Sequence, residues 1–386
     1  MRYFLLRMKR FCGYAVGFVF FISGILKLMD PVGSGLVMQE YFRFLHIGFL
    51  DFAAKPAGAL LALAEAIAGA GLITGVWRRL TGIAVLAMQG MFTLLTLLLV
   101  IFKPEMDCGC FGEAVHLTHG ETFIENIVLL VLLLIYYIPK RHLGETRRRK
   151  YVSFAVVAVS SAAFGLYSWL YIPMADFTDF RPGTVLGESG IPQEDLYESA
   201  FIYEKDGHQE EFSLDNLPDS TWTFVSTRTT LKEGAEEVSP IISIYDPEGN
   251  YADSLLTEGR VMAVSVYRES LTQKELRHIE CFITNARKAG FRTVLLSAHP
   301  EGNLPADRYN ADYKTLITLN RSNGGATYIC DGHIIRKWAE KTLPAPEELA
   351  SLYEEDPTDT FIGRDTGTNL AFQGFLLYVF AVMLLL

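Results

Sequence analysis

The chain has 386 residues, of which 50% are hydrophobic and only 20% are charged. The charges are unevenly placed: the first 172 residues hold 16 basic and 10 acidic side chains, whereas the remainder holds 18 and 34. The acidic second part offers no basic surface for phosphates, which argues against nucleic acid as a partner. Five cysteines in this length are too few for a scaffold built on disulfides.

Long apolar segments recur through the first part of the chain and at its end. A helix needs roughly 20 mostly apolar residues to cross a bilayer. By that criterion the sequence predicts six membrane spans, at about 11–29, 53–76, 80–102, 122–139, 152–172 and 369–386. The expected class is therefore a multi-pass α-helical membrane bundle.

Three basic clusters, at 2–10, 78–79 and 140–150, indicate how the spans are oriented. All three fall on one side if every span crosses, and the positive-inside rule makes that side the cytoplasm. We therefore expect a protein of the bacterial inner membrane whose acidic segment lies on the periplasmic side. The predicted units are a transmembrane domain (1–140), a basic loop with the fifth span (141–172), an extracytoplasmic domain (173–365) and a last span (366–386).

The segment 173–365 has the patterns of a soluble α/β domain. A hairpin is predicted from 201–204 and 211–214 around Asp206-Gly207. The following elements are expected to be strands at 261–267, 291–297, 326–330 and 333–338, with helices at 272–289 and 312–319. A βαβ unit followed by a hairpin is the skeleton of a thioredoxin-like domain.

The sharpest chemical motif is Cys108-Gly109-Cys110, on the loop that follows the third span. Two cysteines one residue apart can exist as a dithiol or as a disulfide, and the central glycine permits the small ring that a disulfide would close. Strained, exposed disulfides are the more oxidising and labile ones, which favours a redox role. Two alternatives stay open: a metal site formed by Cys108, Cys110, His116 and His119, and an inert structural link.

Glu65 is a second candidate site residue, because it places a carboxylate inside the second predicted span. Such groups usually face the interior of a bundle or a cavity. Its expected partner is Lys27 or Gln89, and Lys27 by itself would be expected to snorkel. The functional interpretation is a proton relay or a quinone contact; the structural interpretation is a hydrogen bond between closely packed helices.

Four stretches make the first 140 residues resemble the DoxX and MauE group of membrane proteins. They are 21–28 with Asp30-Pro31, Glu65 with its neighbouring glycines, 107–112, and Glu125-Asn126. The resemblance covers about residues 8–140 and implies four core spans, to which this chain adds about two. MauE-like proteins are implicated in maturing disulfide-rich exported proteins, notably the methylamine dehydrogenase light subunit, and DoxX-like proteins are associated with quinone-linked sulfur redox systems.

The resemblance implies a thiol–disulfide oxidoreductase that assists the maturation of exported proteins, with Cys108 and Cys110 as its catalytic pair. Its partners would be exported thiol proteins or a thioredoxin-like protein, and its electron acceptor a quinone near Glu65. Attack by a thiolate needs a lowered thiol pKa, which His116 or His119 would favour. The alternative is a non-catalytic, membrane-anchored binding or assembly protein whose redox-inactive thioredoxin-like domain holds a client.

The domain that resembles the thioredoxin-like superfamily departs from it in two places. The junction after the strand at 261–267 contains no cysteine, and Asn323-Gly324-Gly325 stands where the superfamily has a cis-proline turn. We therefore expect this domain to transfer no electrons itself. Cys281 and Cys330 are expected to be buried and inert, with a bridge between them as the alternative, and Cys12 is expected to be a packing residue.

Overall fold

The structure is a computed structural model that describes residues 2–104, 106, 108–115, 117–137, 146–187, 197–205, 208–213, 218, 222–231, 239–299, 304 and 308–385. Within those ranges the chain forms a helical bundle, then a mixed α/β region, and finally a long helix that returns to the bundle. The two-part organisation expected from the charge distribution is therefore present.

The first part of the chain is helical. Its helices are α1 Arg2–Met29, α2 Pro31–Phe44, α3 Ala54–Thr74, α4 Arg78–Phe102, α5 His119–Tyr137 and α6 Arg148–Leu170. Among the described residues, five stretches are long and apolar enough to cross a membrane, and they correspond to the first five predicted spans. The apolar stretch at the sixth, Leu370–Leu384, is shorter than the roughly 20 residues that a straight crossing needs.

Helix α2 lies between the first two predicted spans, in a segment for which no element was predicted. Asp30 caps the helix, because its Oδ1 accepts hydrogen bonds from the backbone N–H groups of Val32 and Gly33 at 3.2 and 3.0 Å. Pro31 takes the first helical position, where a missing N–H leaves no hydrogen bond unmade. The Asp-Pro pair is thus a helix start signal that was present in the sequence.

Helices α1 and α3 pack with their backbones in direct contact. A Cβ atom on Gly24 would lie 2.4 Å from the backbone nitrogen of Ala66, and one on Gly69 would lie 2.5 Å from that of Phe21. Small residues allow this close approach. The two helices therefore form a tightly fitted pair at the centre of the bundle.

The basic residues at the starts of α4 and α6 lie at the end of the bundle away from the α/β region. At that end, the Tyr137 hydroxyl lies 3.0 and 2.8 Å from the carbonyl oxygens of Arg78 and Arg79, and Lys150 donates to the carbonyl of Met383. The start of α4, the end of α5, the start of α6 and the end of the last helix therefore meet there. The α/β region begins beyond the other end of α6.

The second part of the chain contains strands and shorter helices. These are β1 Tyr197–Lys205, β2 His208–Ser213, β3 Thr223–Leu231, β4 Ile244–Tyr245, α7 Ser254–Thr257, β5 Arg260–Val266, α8 Gln273–Ala289, β6 Arg292–Ser297, β7 Arg308–Ala311, α9 Tyr313–Leu319, β8 Gly325–Cys330, β9 His333–Trp338, α10 Pro346–Glu354 and α11 Pro357–Leu385. They form a three-stranded sheet, β2-β1-β3, and a six-stranded sheet, β4-β7-β6-β5-β8-β9.

The predicted hairpin is confirmed as the antiparallel pair β1 and β2, with Phe201 opposite Phe212. Its predicted turn, Asp206-Gly207, lies outside the described residues. Strand β3, which pairs with the other edge of β1, was not predicted. The hairpin is therefore part of a small sheet of its own.

The larger sheet contains the predicted βαβ unit, because β5 and β6 are parallel and α8 connects them. Strand β8 pairs antiparallel with both β5 and β9. Alternate residues of β5 enter two different core clusters, so both faces of the strand are covered and residues 261–264 are all apolar. Helix α8 begins with a capping box formed by Thr272 and Glu275. The elements predicted between 261 and 338 are confirmed.

Three cysteines lie away from the Cys-Gly-Cys motif, and none of the three is in a disulfide. Cys12 is buried in the bundle core, as predicted. The prediction for Cys281 is wrong: the thiol is exposed, because the buried face of α8 carries Leu276, Ile279 and Phe282 instead. Cys330 is half-buried at the end of β8.

The contact between α1 and α3 leads to a testable prediction about Gly24. We expect Gly24→Ala to lower the free energy of unfolding by about 1–3 kcal/mol, because the new methyl group meets backbone that cannot move away. Gly90→Ala is the matched control, since a Cβ there meets nothing within 4 Å and alanine favours the helix. Unfolding of the detergent-solubilised chain measures both; equal losses would contradict the tight packing.

Candidate functional site

The loop that carries Cys108 and Cys110 is held against the bundle from two sides. Tyr41 of α2 donates its hydroxyl to the carbonyl of Cys108 at 2.9 Å. Ser23 of α1 donates to the carbonyl of Cys110 at 2.6 Å. These hydrogen bonds satisfy the carbonyl groups of both cysteines and fix the two residues relative to two helices.

Gly109 is required between the two cysteines for two reasons. Its φ is +63°, in the region that glycine occupies without strain, and a Cβ atom there would lie 2.4 Å from Cγ1 of Val37. The backbone therefore passes directly over α2 at this point.

Neither Cys108 nor Cys110 is in a disulfide in this structure.

His119, at the start of α5, connects the loop to that helix. Its Nδ1 lies 3.0 Å from Sγ of Cys108, and its Nε2 lies 3.0 Å from the carbonyl oxygen of Pro104. Cys108 is buried and Cys110 is half-buried. The two thiols therefore have different surroundings although one residue separates them.

A metal site at this loop would need three or more ligands. Among the residues that the structure describes, no three His, Cys, Asp or Glu side chains are grouped so that they could hold a metal ion. Of the predicted ligands, His116 lies outside the described residues. The contact that the structure places here is instead between Cys108 and His119.

Glu65 lies inside the bundle and forms an ion pair with Lys27. The Nζ atom of Lys27 is 2.7 and 2.9 Å from the two carboxylate oxygens, and the side chains are 13% and 1% exposed. The expectation that Lys27 snorkels is wrong, because its ammonium group turns inward to the carboxylate. The other expected partner, Gln89, instead donates to Oδ1 of Asn126 at 2.7 Å.

Ser23 connects this ion pair to the cysteine loop. Its Oγ lies 2.9 Å from Oε2 of Glu65 and 2.6 Å from the carbonyl oxygen of Cys110. The hydroxyl has one proton, so it can donate to only one of these oxygens at a time. A change in the charge of Glu65 would therefore alter the hydrogen bond between Ser23 and the carbonyl of Cys110.

A cavity of about 370 Å³ extends from the cysteine loop into the bundle. Most of its lining is apolar and includes Phe20, Phe42, Phe92 and Leu95. Its polar lining includes both cysteines and the groups Glu65, Gln89, Glu125 and Asn126. Such a volume, apolar with a few polar groups, is typical of a small-molecule site.

Two oxygen atoms in this cavity are buried without a hydrogen-bond partner among the described residues. They are Oε1 of Gln89 and Oε2 of Glu125. Unpaired polar atoms of this kind are costly in a folded protein unless a ligand or water satisfies them. The cavity therefore has unsatisfied polar groups at its lining as well as apolar walls.

Burial raises the pKa of the Cys110 thiol to about 12, and the nearby Lys27 ammonium opposes that shift. At neutral pH this thiol is therefore protonated. A thiol in that state is a poor nucleophile, so Cys110 does not by itself meet the requirement for attack.

Several contributors to the site were missed by sequence reasoning. Tyr41 and Val37 lie on α2, a helix that was not predicted, and the Asp30-Pro31 signal could have revealed it. Ser23 and Glu125 stood in the stretches that carry the family resemblance but had no assigned role. No sequence pattern indicated that they share one cavity.

Two parts of the chain match models of known protein families. Residues 2–139 match the family model of methylamine utilisation protein MauE. The part of the chain that these residues span, α1 to α5, is MauE-like. With its apolar helices it is a membrane protein, and the MauE-like part contains Glu65, Cys108, Cys110 and the whole cavity lining. Residues 197–234 match a domain of unknown function, DUF8463, which covers β1 to β3. No curated protein and no solved structure matches the chain.

The MauE-like part is also bound to the α/β region through α2. Nε of Arg321, which follows α9, lies 2.9 Å from Oδ2 of Asp30, and the side chains are 3% and 13% exposed. A second pair, Lys314 with Glu40, is exposed on the lysine side. The carboxylate of Asp30 thus caps α2 and also binds the α/β region through Arg321.

The Lys27–Glu65 pair leads to a prediction about single and double variants. Glu65→Gln should lower the free energy of unfolding by about 3–5 kcal/mol, because it leaves an unpaired ammonium group in an apolar bundle. Lys27→Met should be similarly harmful. The double variant Lys27→Met with Glu65→Leu should be more stable than either single variant, and unfolding in mixed micelles measures the cycle. Additive losses would show that the pair is not coupled.

The Arg321–Asp30 pair predicts how firmly α2 is held. Arg321→Met should make local opening of α2 easier by about 3 kcal/mol, because Asp30 loses its buried partner. Hydrogen exchange of residues 31–44 should then be faster by roughly a hundredfold. Lys314→Gln is the matched control, since an exposed pair contributes at most about 1 kcal/mol. Unchanged exchange in Arg321→Met would contradict this role.

Proposed function

We propose that the chain is a membrane thiol–disulfide oxidoreductase that oxidises thiols of exported proteins and passes the electrons to a lipid-soluble quinone. One observation carries this proposal: Cys108 and Cys110 both line a cavity that lies within the helix bundle. This position supports the proposal, because a loop at the mouth of such a cavity would be within reach of a molecule dissolved in the bilayer and of a protein outside it.

The cavity residues fit a quinone on two grounds. The apolar walls suit a ring and its hydrocarbon tail, and the unpartnered oxygens of Gln89 and Glu125 suit the hydroxyl groups of the reduced form. A shallow groove on the outside of α1 and α5 shares Phe111 and Glu125 with the cavity lining. That groove supports a route from the lipid.

The reaction balances with two electrons and two protons in each half. Two client thiols reduce the Cys108–Cys110 disulfide, which yields a client disulfide and two loop thiols. A quinone would supply the acceptor for the two electrons and two protons that leave when the loop disulfide forms again. The residues of the chain hold the loop in place, and the Lys27–Glu65 pair adds no net charge to the polar end of the cavity.

The same proposal includes the orientation and the fold of the second part. The basic ends of α4 and α6 would face the cytoplasm of a bacterium by the positive-inside rule, which places the cysteine loop and the α/β region outside. A thioredoxin-like fold is supported by the parallel β5–α8–β6 unit next to the antiparallel strands β8 and β9.

A second candidate function is a non-catalytic assembly protein that holds a client. The observation that favours it is the end of β5, where Tyr267 and Arg268 stand in place of thiols. In this case the cysteine loop would be structural, and client binding would depend on the α/β region.

The test uses the full chain in lipid nanodiscs, a reduced peptide with two cysteines and the quinone analogue decylubiquinone. The wild type should couple loss of peptide thiols to quinone reduction in a 1:1 ratio of disulfide to quinol, as the balance requires. Cys108→Ser and Cys110→Ser should each reduce the rate to background, because a single thiol cannot form the loop disulfide. Cys281→Ser is the matched control and should keep the full rate.

Two outcomes would overturn the proposed function. Quinone reduction by Cys108→Ser at the wild-type rate would show that the loop is not the redox site. Peptide binding with no oxidation by any variant, and with unchanged affinity in Cys108→Ser, would favour the assembly protein instead.

A further inference from the structure

The two cysteines of the loop differ in both exposure and contacts. Cys108 is 5% exposed and its Sγ lies 3.0 Å from Nδ1 of His119. Cys110 is only half-buried, and its backbone carbonyl, rather than its sulfur, is the group held by Ser23. A disulfide between them would therefore present one sulfur more openly than the other.

The second contact of His119 determines which ring nitrogen carries the proton. Nε2 lies 3.0 Å from the carbonyl oxygen of Pro104. A carbonyl oxygen only accepts hydrogen bonds, so Nε2 must be the donor and Nδ1 of the neutral ring must be an acceptor. The thiol of Cys108 is consequently positioned to donate its proton to Nδ1.

A thiol in this position is an acid next to a base. Transfer of its proton would give a thiolate beside an imidazolium, the arrangement that lowers the pKa of reactive cysteines. Cys110 has the opposite tendency, because its burial favours the protonated form. Cys108 interacts electrostatically with Tyr41 and Cys110, and Cys110 in turn interacts with Lys27, Glu65 and Glu125.

On the basis of the proposed function, we propose that the two cysteines have different and fixed roles. Cys110 receives the client thiol, whereas Cys108 is the internal thiol and His119 is the catalytic residue that exchanges its proton. The attacking client sulfur forms a bond to Sγ of Cys110 as the loop S–S bond breaks. The electron pair of that bond goes to Sγ of Cys108, which receives, through Nδ1 of His119, the proton that the client thiol lost.

The second half of the exchange completes the balance. The other client thiolate attacks the client sulfur of the mixed disulfide, and Cys110 leaves and takes up the second proton. In the reverse direction Cys108 is the attacking thiolate, with His119 as its base. This assignment predicts that His119 controls the reactivity of Cys108 and not that of Cys110.

The first experiment measures alkylation of Cys108 by iodoacetamide across a pH series, site by site, by mass spectrometry. The full chain carries Cys110→Ser in every sample and is compared with and without His119→Gln. We expect His119→Gln to move the midpoint to higher pH and to slow the reaction at pH 7 by at least about tenfold. The plateau at high pH reports access to the thiol and should not change.

Cys281 is the internal control, because it is an exposed thiol on α8 of the same chain. Its alkylation profile should be identical in both samples. An unchanged midpoint for Cys108 would overturn the role of His119. This arm needs neither a quinone nor a client, so its failure leaves the proposed function standing.

The second experiment identifies the cysteine that receives the client. The wild-type loop is oxidised with diamide, mixed with a peptide that has one thiol, and trapped with iodoacetamide. We expect the peptide on Cys110 and the alkyl group on Cys108 in at least about a tenfold excess over the reverse. A majority of peptide on Cys108 would overturn the assignment. If diamide cannot convert the loop to an internal disulfide, both the proposed function and this assignment are overturned.

Discussion

The buried ion pair of Lys27 and Glu65 is the interaction on which the bundle and the candidate site both depend. It joins α1 to α3 at the level where the backbones touch through Gly24, so neither helix can rotate without separating the charges. In an apolar bundle an unpaired charge is far more costly than the pair. The close packing of α1 against α3 keeps the two charges in contact, and the ion pair in turn holds the two helices together. Ser23, one residue before Gly24, extends the same constraint to the carbonyl of Cys110.

Helix α2 transmits a second constraint from the α/β region to the same loop. Its first turn is held by Asp30, which binds both the helix N-terminus and Arg321. Its second half supplies Val37 beneath Gly109 and the Tyr41 hydroxyl beneath Cys108. A displacement of the α/β region would therefore reach the cysteine loop through one short helix. The loop is held by elements on two sides, so the positions of Cys108 and Cys110 are fixed relative to both.

Much of the fold could be predicted from local patterns, whereas the site could not. Runs of apolar residues predicted the first five spans, and the buried strands with helical spacing at 272–289 predicted the core of the larger sheet. Cys108, Cys110 and Glu65 were identified because their residue types are unusual where they stand. The Cys108–His119 contact and the shared cavity depend on distances between helices far apart in sequence. Periodicity carries no information about such distances, so these features needed the structure.

The α/β region turns the segment that closes the end of β5 towards the bundle, which limits what it can do for the cysteine loop. Asn323 accepts hydrogen bonds from the backbone N–H groups of Tyr267 and Arg268, so the turn that contains it closes the end of β5. In a thioredoxin-like domain that end would hold the thiols and the client. Here Arg321 of the same turn is buried against Asp30. A client at this place would have to break a buried ion pair, at a cost of about 3–5 kcal/mol. The turn at the end of β5 is therefore better suited to support α2 than to bind a client. In the proposed function, the thiol chemistry belongs to the loop of Cys108 and Cys110.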